Sequence, residues 1–420
     1  MRSNFLLSIF FLSFLANNLF AQKTYLLRPD RIFDGQEIHE NWAVLIKNEK
    51  ISSVGPAAEL TFDSQNTEVI DLKGCTLLPG FIEGHSHLFL HPYNETPWDD
   101  QVLKESRSYR TARATSHAKK TLMAGFTTVR DLGTEGAEYD DFGLKQAINQ
   151  GIIPGPRMII ATKALIASGS YGPKGFSADI NIPQGAEEAD GQDLIKAVRS
   201  QIGKGADVIK IYADYRWGVN GETRPTFSVD EIKLIVETAK SSGRPVVAHA
   251  SSEEGMKRAI LGGVETIEHG DGGTTEIFKM MREHGVALCP TIAAGDATSQ
   301  YRGWKKGTDP EPEKIKNKRI TFKSAMDARV TICTGGDVGV FSHGDNAREL
   351  EMMAEYGMKP IDVLRSATSV NAKVFHQDNL GQIKPGFLAD LVVVEGKPEV
   401  NISVIRSVKL VMKNGVIFKD

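Results

Sequence analysis

The chain has 420 residues, 41% hydrophobic and 25% charged, which excludes a disordered, collagen-like or coiled-coil protein. A formal net charge of −3 leaves no basic excess to grip a phosphate backbone, so nucleic acid is not the expected partner. Three cysteines exclude a disulfide scaffold, and the core must come from apolar burial.

At the N-terminus Arg2 precedes an apolar run from Phe5 to Leu15, and the stretch ends Asn17-Asn18-Leu19-Phe20-Ala21. A charged start, a short apolar core and a small residue at the end make residues 1–21 a signal peptide. The apolar part is shorter than the roughly 20 residues of a membrane span. Export to the periplasm or the medium is expected, with no membrane span after cleavage; a retained anchor is the alternative.

Residues 24–79 read as strands and turns, with Ala43-Val44-Leu45-Ile46 and Val69-Ile70-Asp71-Leu72 as apolar runs. Residues 381–420 look similar, and Asn414-Gly415 between apolar runs signals a hairpin. Between these ends runs a repeating unit, an amphipathic helix closed by glycine and followed by a short apolar strand. Gly125, Gly205, Gly243, Gly263 and Gly285 fit helix C′ positions, and Ser228 with Glu231 forms a capping box. Strands are expected at 80–87, 127–129, 157–160, 207–211, 245–249, 265–269, 286–289 and 330–334. Strands alternating with helices mean a parallel sheet, and eight such units mean an α/β protein built as a (β/α)8 TIM-like barrel. The rival, an open doubly wound sheet, lacks its GxGxxG marker. Cys75, Cys289 and Cys333 each lie in an apolar run without CxxC spacing and read as buried free thiols. Cys289 and Cys333 fall on neighbouring strands, where a bridge is open but unsupported.

Catalytic groups of such a barrel sit at the C-terminal ends of its strands. Strand one ends His85-Ser86-His87, and the period of two turns both imidazoles to one side, where they can chelate a metal. Strand four carries Lys210, strand five ends in His249, strand six in His269, and strand eight runs into Gly335-Gly336-Asp337. Singly, each residue has an ordinary explanation: a hydrogen-bonded structural histidine, a snorkelling lysine, a helix N-cap. Jointly they converge on one rim. His39, His117, His284 and His376 fall in loops or helices and read as surface residues. An ammonium cannot ligate a cation, but Lys210 carboxylated by CO2 presents a carboxylate that can bridge two divalent ions, for which the histidines suit zinc. Two ions sharing a water would give a hydroxide that attacks an amide carbonyl, with Asp337 moving the proton to the leaving amine. Cobalt, manganese and iron fit similar ligands.

The motifs Pro79-Gly80-Phe81-Ile82-Glu83-Gly84-His85-Ser86-His87, Val208-Ile209-Lys210-Ile211-Tyr212, Ala248-His249-Ala250, Ile267-Glu268-His269-Gly270 and Thr334-Gly335-Gly336-Asp337 resemble the amidohydrolase superfamily. Within it they are similar to the imidazolonepropionase-like group, which includes metal-dependent Xaa-Pro and Xaa-Arg dipeptidases. The tail from Leu380 to Val392 carries the same likeness. The resemblance implies a small β-sandwich from both chain ends, residues 22–79 and 378–420, around a barrel at 80–377. It implies His85, His87 and Asp337 on one metal, His249 and His269 on the other, and carboxylated Lys210 between them. One segment departs from the dipeptidase pattern: Tyr171, in Ser168-Gly169-Ser170-Tyr171-Gly172, takes the place of a histidine.

Tyr212 shares the parity of Lys210 and is expected to point into the site and hold an oxyanion. Arg216 or Arg224 would clamp a substrate carboxylate. The resemblance makes His343 a substrate contact. The charged stretch 301–318 reads as a solvated insertion, with a lid as the alternative. The leading expectation is an exported binuclear amidohydrolase of dipeptides or N-acyl amino acids, able to self-associate. A mononuclear cyclic-amide hydrolase or deaminase is the alternative, and a non-catalytic barrel that binds a partner is the second.

Overall fold

A computed structural model describes residues 23–177 and 179–419, so the expected signal peptide lies outside the described residues. Strand one of a barrel is Phe81–Ser86, strand two Phe126–Asp131, and strand three Arg157–Ile160 continued by Leu165–Ile166. Strands four to seven are Ile209–Tyr212, Val246–Ala250, Thr266–His269 and Ala287–Cys289. Each pairs in parallel with the next, and Leu165 takes over from Ile160 as the partner of strand four at Ile211. Between the two pieces of strand three the chain turns at Thr162, whose φ of 63° breaks the ladder.

The eighth strand is slighter than expected. Residues 330–334 make only the bridge Leu288↔Ile332, and the next bridge, Ser86↔Val338, closes the ring on strand one. The reason is a side chain. Asn371 accepts from Thr334 N at 3.1 Å, a group a ladder would otherwise pair, and donates at 2.8 Å to Thr334 O, which also accepts from Gly84 N of strand one at 3.0 Å. Gly335 follows because nothing larger fits: a Cβ there would lie 2.3 Å from Cys289 Sγ and 2.7 Å from His85 N.

The helices around the barrel bury one face each. Val229–Lys240 starts with the expected capping box and turns Ile232, Ile235 and Ala239 inward. Glu253–Gly262 and Thr275–His284 end on Gly263 (φ 89°) and Gly285 (φ 69°), both left-handed as C′ glycines should be. Their inward residues and the outer faces of strands four to seven form one cluster that includes Ile209, Ala248, Ile267 and Leu288.

Both chain ends enter a single eight-stranded sheet. Glu68–Pro79 pairs in parallel with Thr24–Phe33 and antiparallel with Leu391–Glu395, and Leu391–Glu395 pairs with Val408–Lys413. The sandwich is this one sheet curled round: its edge strand Lys50–Pro56 meets Leu388 through a bridge at Lys50. The curl encloses Leu27, Val44, Ile46, Leu77, Val393 and Met412. Gly80 alone separates Glu68–Pro79 from strand one, so the sheet runs straight into the strand that carries His85. All three cysteines are buried and free, including the neighbours Cys289 and Cys333.

Gly335→Ala should destabilise the protein by about 1–3 kcal/mol through overpacking of strand eight against strands one and seven, measured by urea denaturation.

Candidate metal centre

The fold brings the imidazoles of strands one, five and six onto one rim. Ring centroids of His85 and His87 lie 5.2 Å apart, His85 and His269 5.2 Å, and His249 and His269 4.4 Å. Asp337 Oδ1 lies 3.6 Å from His85 Nε2 and 3.3 Å from His87 Nε2. Ligand atoms of His85, His269 and Asp337 all fall within 4.8 Å of one another, close enough to share an ion. His269 (φ 75°) and Asp337 (φ 61°) both hold left-handed backbone, a strain that non-glycine residues keep where the fold over-determines them.

Each ring is held from behind. His85 Nδ1–H donates to Glu268 Oε2 at 2.8 Å, and His87 Nδ1–H to the Gly133 carbonyl at 2.8 Å. These bonds leave both Nε2 atoms facing the shared space, the orientation metal-ligating histidines require. His269 Nδ1 meets Thr291 Oγ1 at 2.7 Å. His249 Nε2 lies 3.7 Å from Asp214 Oδ1, while the Asp214 carboxylate accepts from Ser251 N, Ser252 N and the Ser252 hydroxyl. Burial pushes His85 down to about 4 and His249 to about 3, so both are neutral donors at pH 7. Burial works against charge at His87 and Asp337 as well, but their mutual contact wins, raising His87 and holding Asp337 at about 2.

Glu268 anchors the arrangement. It is fully buried, accepts from Arg130 Nη2 at 2.7 Å and from Thr266 Oγ1 at 2.5 Å, and holds His85. Burial opposes its charge, yet Arg130 and His85 keep it well below the usual carboxylate range. Arg130 also donates to the Gly84 carbonyl at 2.7 Å and lies over the Phe375 ring. Neither Arg130 nor Glu268 stood out in the sequence. The one signal was position: Glu268 directly precedes a strand-end histidine.

Lys210 lies beneath the rim, only 1% exposed, with its Nζ 5.6 Å from the centre of the Tyr212 ring. Burial lowers its pKa, against the charges of Glu268 and Asp337. Tyr212 does point into the site, where its ring stacks on His249 at 4.7 Å. Its hydroxyl lies 3.4 Å from Glu135 Oε1 and 3.3 Å from the Tyr171 hydroxyl. Burial keeps the Tyr212 phenol protonated far above neutral pH. Tyr171 is therefore at the site as well, next to Tyr212 at 4.5 Å between rings.

Family profiles match the chain at both levels: the Amidohydrolase family over residues 76–418 and a NagA composite domain over residues 24–77. The chain belongs to the amidohydrolase family. Amidohydrolases with similar sequences include an ochratoxinase of Aspergillus niger, 30% identical over 92% of this chain and 84% of that one. Among solved structures, a Xaa-Pro dipeptidase with bound methionine in its active site superposes with a TM-score of 0.83 and 32% identity, covering 95% of this chain and all of that one. A prolidase complexed with N-methylphosphonate-L-proline superposes at 0.81 and 29% identity, over 94% of this chain and 100% of the other. This amidohydrolase is thus a metal-dependent hydrolase of carbon–nitrogen amide bonds, with small molecules as substrates.

Two expectations need correction. His343 presents neither ring nitrogen to a substrate: Nε2 is bonded to the Leu90 carbonyl at 3.0 Å, and Nδ1 is buried without a partner among the described residues. The loop after strand eight packs on the helix Arg107–Met123, and His343 stacks at 4.3 Å on His117. His117 is accordingly buried, not a surface residue, and donates from Nδ1 to the Leu88 carbonyl. The stretch 301–318 is exposed or half-buried as far as residue 314, as a solvated insertion should be, and Lys318 in the helix Glu313–Asp327 is buried and donates to the His269 carbonyl at 2.7 Å and to Asp271 at 2.5 Å. Of the two arginines, Arg216 lies against the Tyr215 ring, whereas Arg224 pairs with Glu222 in solvent.

Arg130→Met should cost about 3–5 kcal/mol in urea denaturation, because it leaves the Glu268 charge buried and unpaired. Burial holds His117 down at about 4. A folded pKa below the unfolded value stabilises above about pH 6.5 and loses that contribution as pH falls towards 4. His117→Phe should therefore show a smaller stability loss between pH 7 and pH 4.5 than the parent chain, by up to about 3 kcal/mol on chemical denaturation.

Proposed function

We propose that this amidohydrolase is exported and cleaves dipeptides or N-acyl amino acids with a pair of divalent ions. The observation that carries the reading is Lys210, a lysine buried beside the imidazoles and Asp337 whose ammonium would have no hydrogen bond or ion pair among the described residues. The donor set fits metal. His85 and His87 have their second nitrogens fixed by Glu268 and Gly133, and the free Nε2 atoms converge with Asp337.

His85, His87 and Asp337 would hold one ion, and His249 and His269 the other. Lys210 would join them after its neutral amine adds CO2, forming an N–C bond and releasing one proton. Its lowered pKa favours the free amine this addition needs. Zinc suits these ligands. Divalent ions at such a site supply a Lewis acid for the amide carbonyl and make water acidic enough to attack at neutral pH.

The chain's own residues do the rest. Asp337, ionised at neutral pH, accepts the proton of the attacking water at its carboxylate and returns it to the departing nitrogen. Tyr212 keeps its proton and stands beside His249, where its hydroxyl can donate to the oxygen of the tetrahedral adduct. Tyr171 and Tyr215 wall the cleft on that side, with Arg216 at its edge beside Tyr215. Among the described residues no helix is long and apolar enough to cross a membrane. Export rests on residues 1–21 and predicts a mature N-terminus at Gln22, read by N-terminal sequencing of the processed protein.

Lys210→Ala should lower kcat at least about 10³-fold on any amide substrate, and metal analysis should show fewer than two ions per chain. Full activity in this variant, or a single ion in the fully active parent protein, would favour the mononuclear reading. Chelation should abolish turnover, and divalent metal with bicarbonate should restore it.

A further inference from the structure

Glu135 has no part in the reading above, yet it is among the most confined charges in the molecule. It sits on the loop after strand two, 3% exposed, with its backbone in the left-handed region at φ 48°. All the donors to its carboxylate are neutral and aromatic. Tyr171 donates to Oε2 at 2.6 Å and Trp98 Nε1 to the same oxygen at 3.0 Å, while the Tyr212 hydroxyl lies 3.4 Å from Oε1. Among the described residues no cationic side chain comes within 4 Å of this carboxylate. Arg110, the buried cation nearby, donates instead to the backbone carbonyls of Phe89, Thr134 and Glu135.

The rings close round this charge. Tyr171 meets Trp98 edge-on at 5.2 Å and Tyr215 at 4.7 Å, and Tyr212 joins the group to His249. Trp98 and Tyr215 are half-buried, so the wall faces solvent at its outer edge. A buried carboxylate balanced only through space, here chiefly by Arg110, keeps an attraction for a closer cation, and aromatic faces attract cations as well. The Tyr171 phenol, which donates inward to Glu135, is polarised as an acceptor for an ammonium N–H.

We infer that Glu135, with Trp98, Tyr171, Tyr212 and Tyr215, forms a subsite for a cationic nitrogen carried by the substrate. The inference rests on the amide-hydrolase reading and narrows it: the preferred amide carries an ammonium or guanidinium near the scissile bond. The contact of Tyr212 with His249 places the subsite directly beside the reacting carbonyl. The α-ammonium of an unblocked dipeptide and a basic side chain share this chemistry.

The test compares matched substrates with metal-loaded enzyme: a dipeptide against its N-acetyl form, and lysine against norleucine on either side of the bond. At least one charged member should exceed its neutral partner about tenfold in kcat/KM, mostly through KM. In Glu135→Gln that ratio should fall towards one. Preference for the N-acetyl pair would identify the α-ammonium, and preference in a lysine pair the side chain. No charge preference in any pair, or an unchanged ratio in Glu135→Gln, would overturn the subsite.

A second measurement is independent of turnover and of the variant's folding. Calorimetric titration of the parent protein with n-butylammonium should show saturable binding that n-butanol does not reproduce. Absence of that binding overturns the subsite even if amides are cleaved. Its presence without hydrolysis of any amide would support the subsite while rejecting the proposed reaction.

Discussion

The ion pair between Arg130 and Glu268 lies where the barrel strands converge, and the site above depends on it. Arg130 comes from strand two and Glu268 from strand six, so the pair spans the barrel interior between strands far apart in the ring. A buried pair of this kind adds little net stability, because desolvation offsets attraction. What it fixes is orientation. The second oxygen of Glu268 holds His85 by Nδ1, and the Arg130 guanidinium reaches the backbone at Gly84. The direction of the first histidine is thus set by a charge held in place from the other side of the barrel.

The same logic repeats around the rim at lower cost. Gly133 and Thr291 each hold one ring from behind, using a carbonyl and a hydroxyl. Burial keeps His85 and His249 neutral, so these two rings carry lone pairs, while contact with Asp337 favours the charged form of His87. A rim built this way is poised for a cation at its centre. Glu83 supports it from below, accepting from His85 N, Gly336 N and the Asn346 amide and thereby tying strand one to the loop that carries Asp337.

Much of this was legible in the residue pattern, and the limits have physical causes. Barrel strands have apolar runs and glycine-closed helices that survive as sequence signals, so Lys210, His249 and His269 could be placed on strand ends. Parity placed Tyr212 correctly because a strand alternates faces without exception over four residues. Strand eight keeps backbone bonds to Leu288 and Gly84 but is slighter than its apolar run implies, because Thr334 N is taken by the Asn371 side chain, a contact 37 residues away in the chain. His343 and His117 were misread for a similar reason. Their stacking joins a loop to a helix, and local sequence carries no trace of that meeting. Glu135 was invisible too, since its meaning comes from Trp98, Tyr171 and Tyr212, which reach it from three other segments.

The curled sheet has a consequence in time. Its central strand Glu68–Pro79 lies between Thr24–Phe33 and Leu391–Glu395, and Gly80 alone separates it from the strand that bears His85. The chain must therefore be synthesised past Leu391–Glu395 before Glu68–Pro79, which leads into strand one, gains its second neighbour. Contacts so distant in sequence close late in folding. Full support for the strand that bears His85 thus waits on Leu391–Glu395, far along the chain from the histidine it steadies.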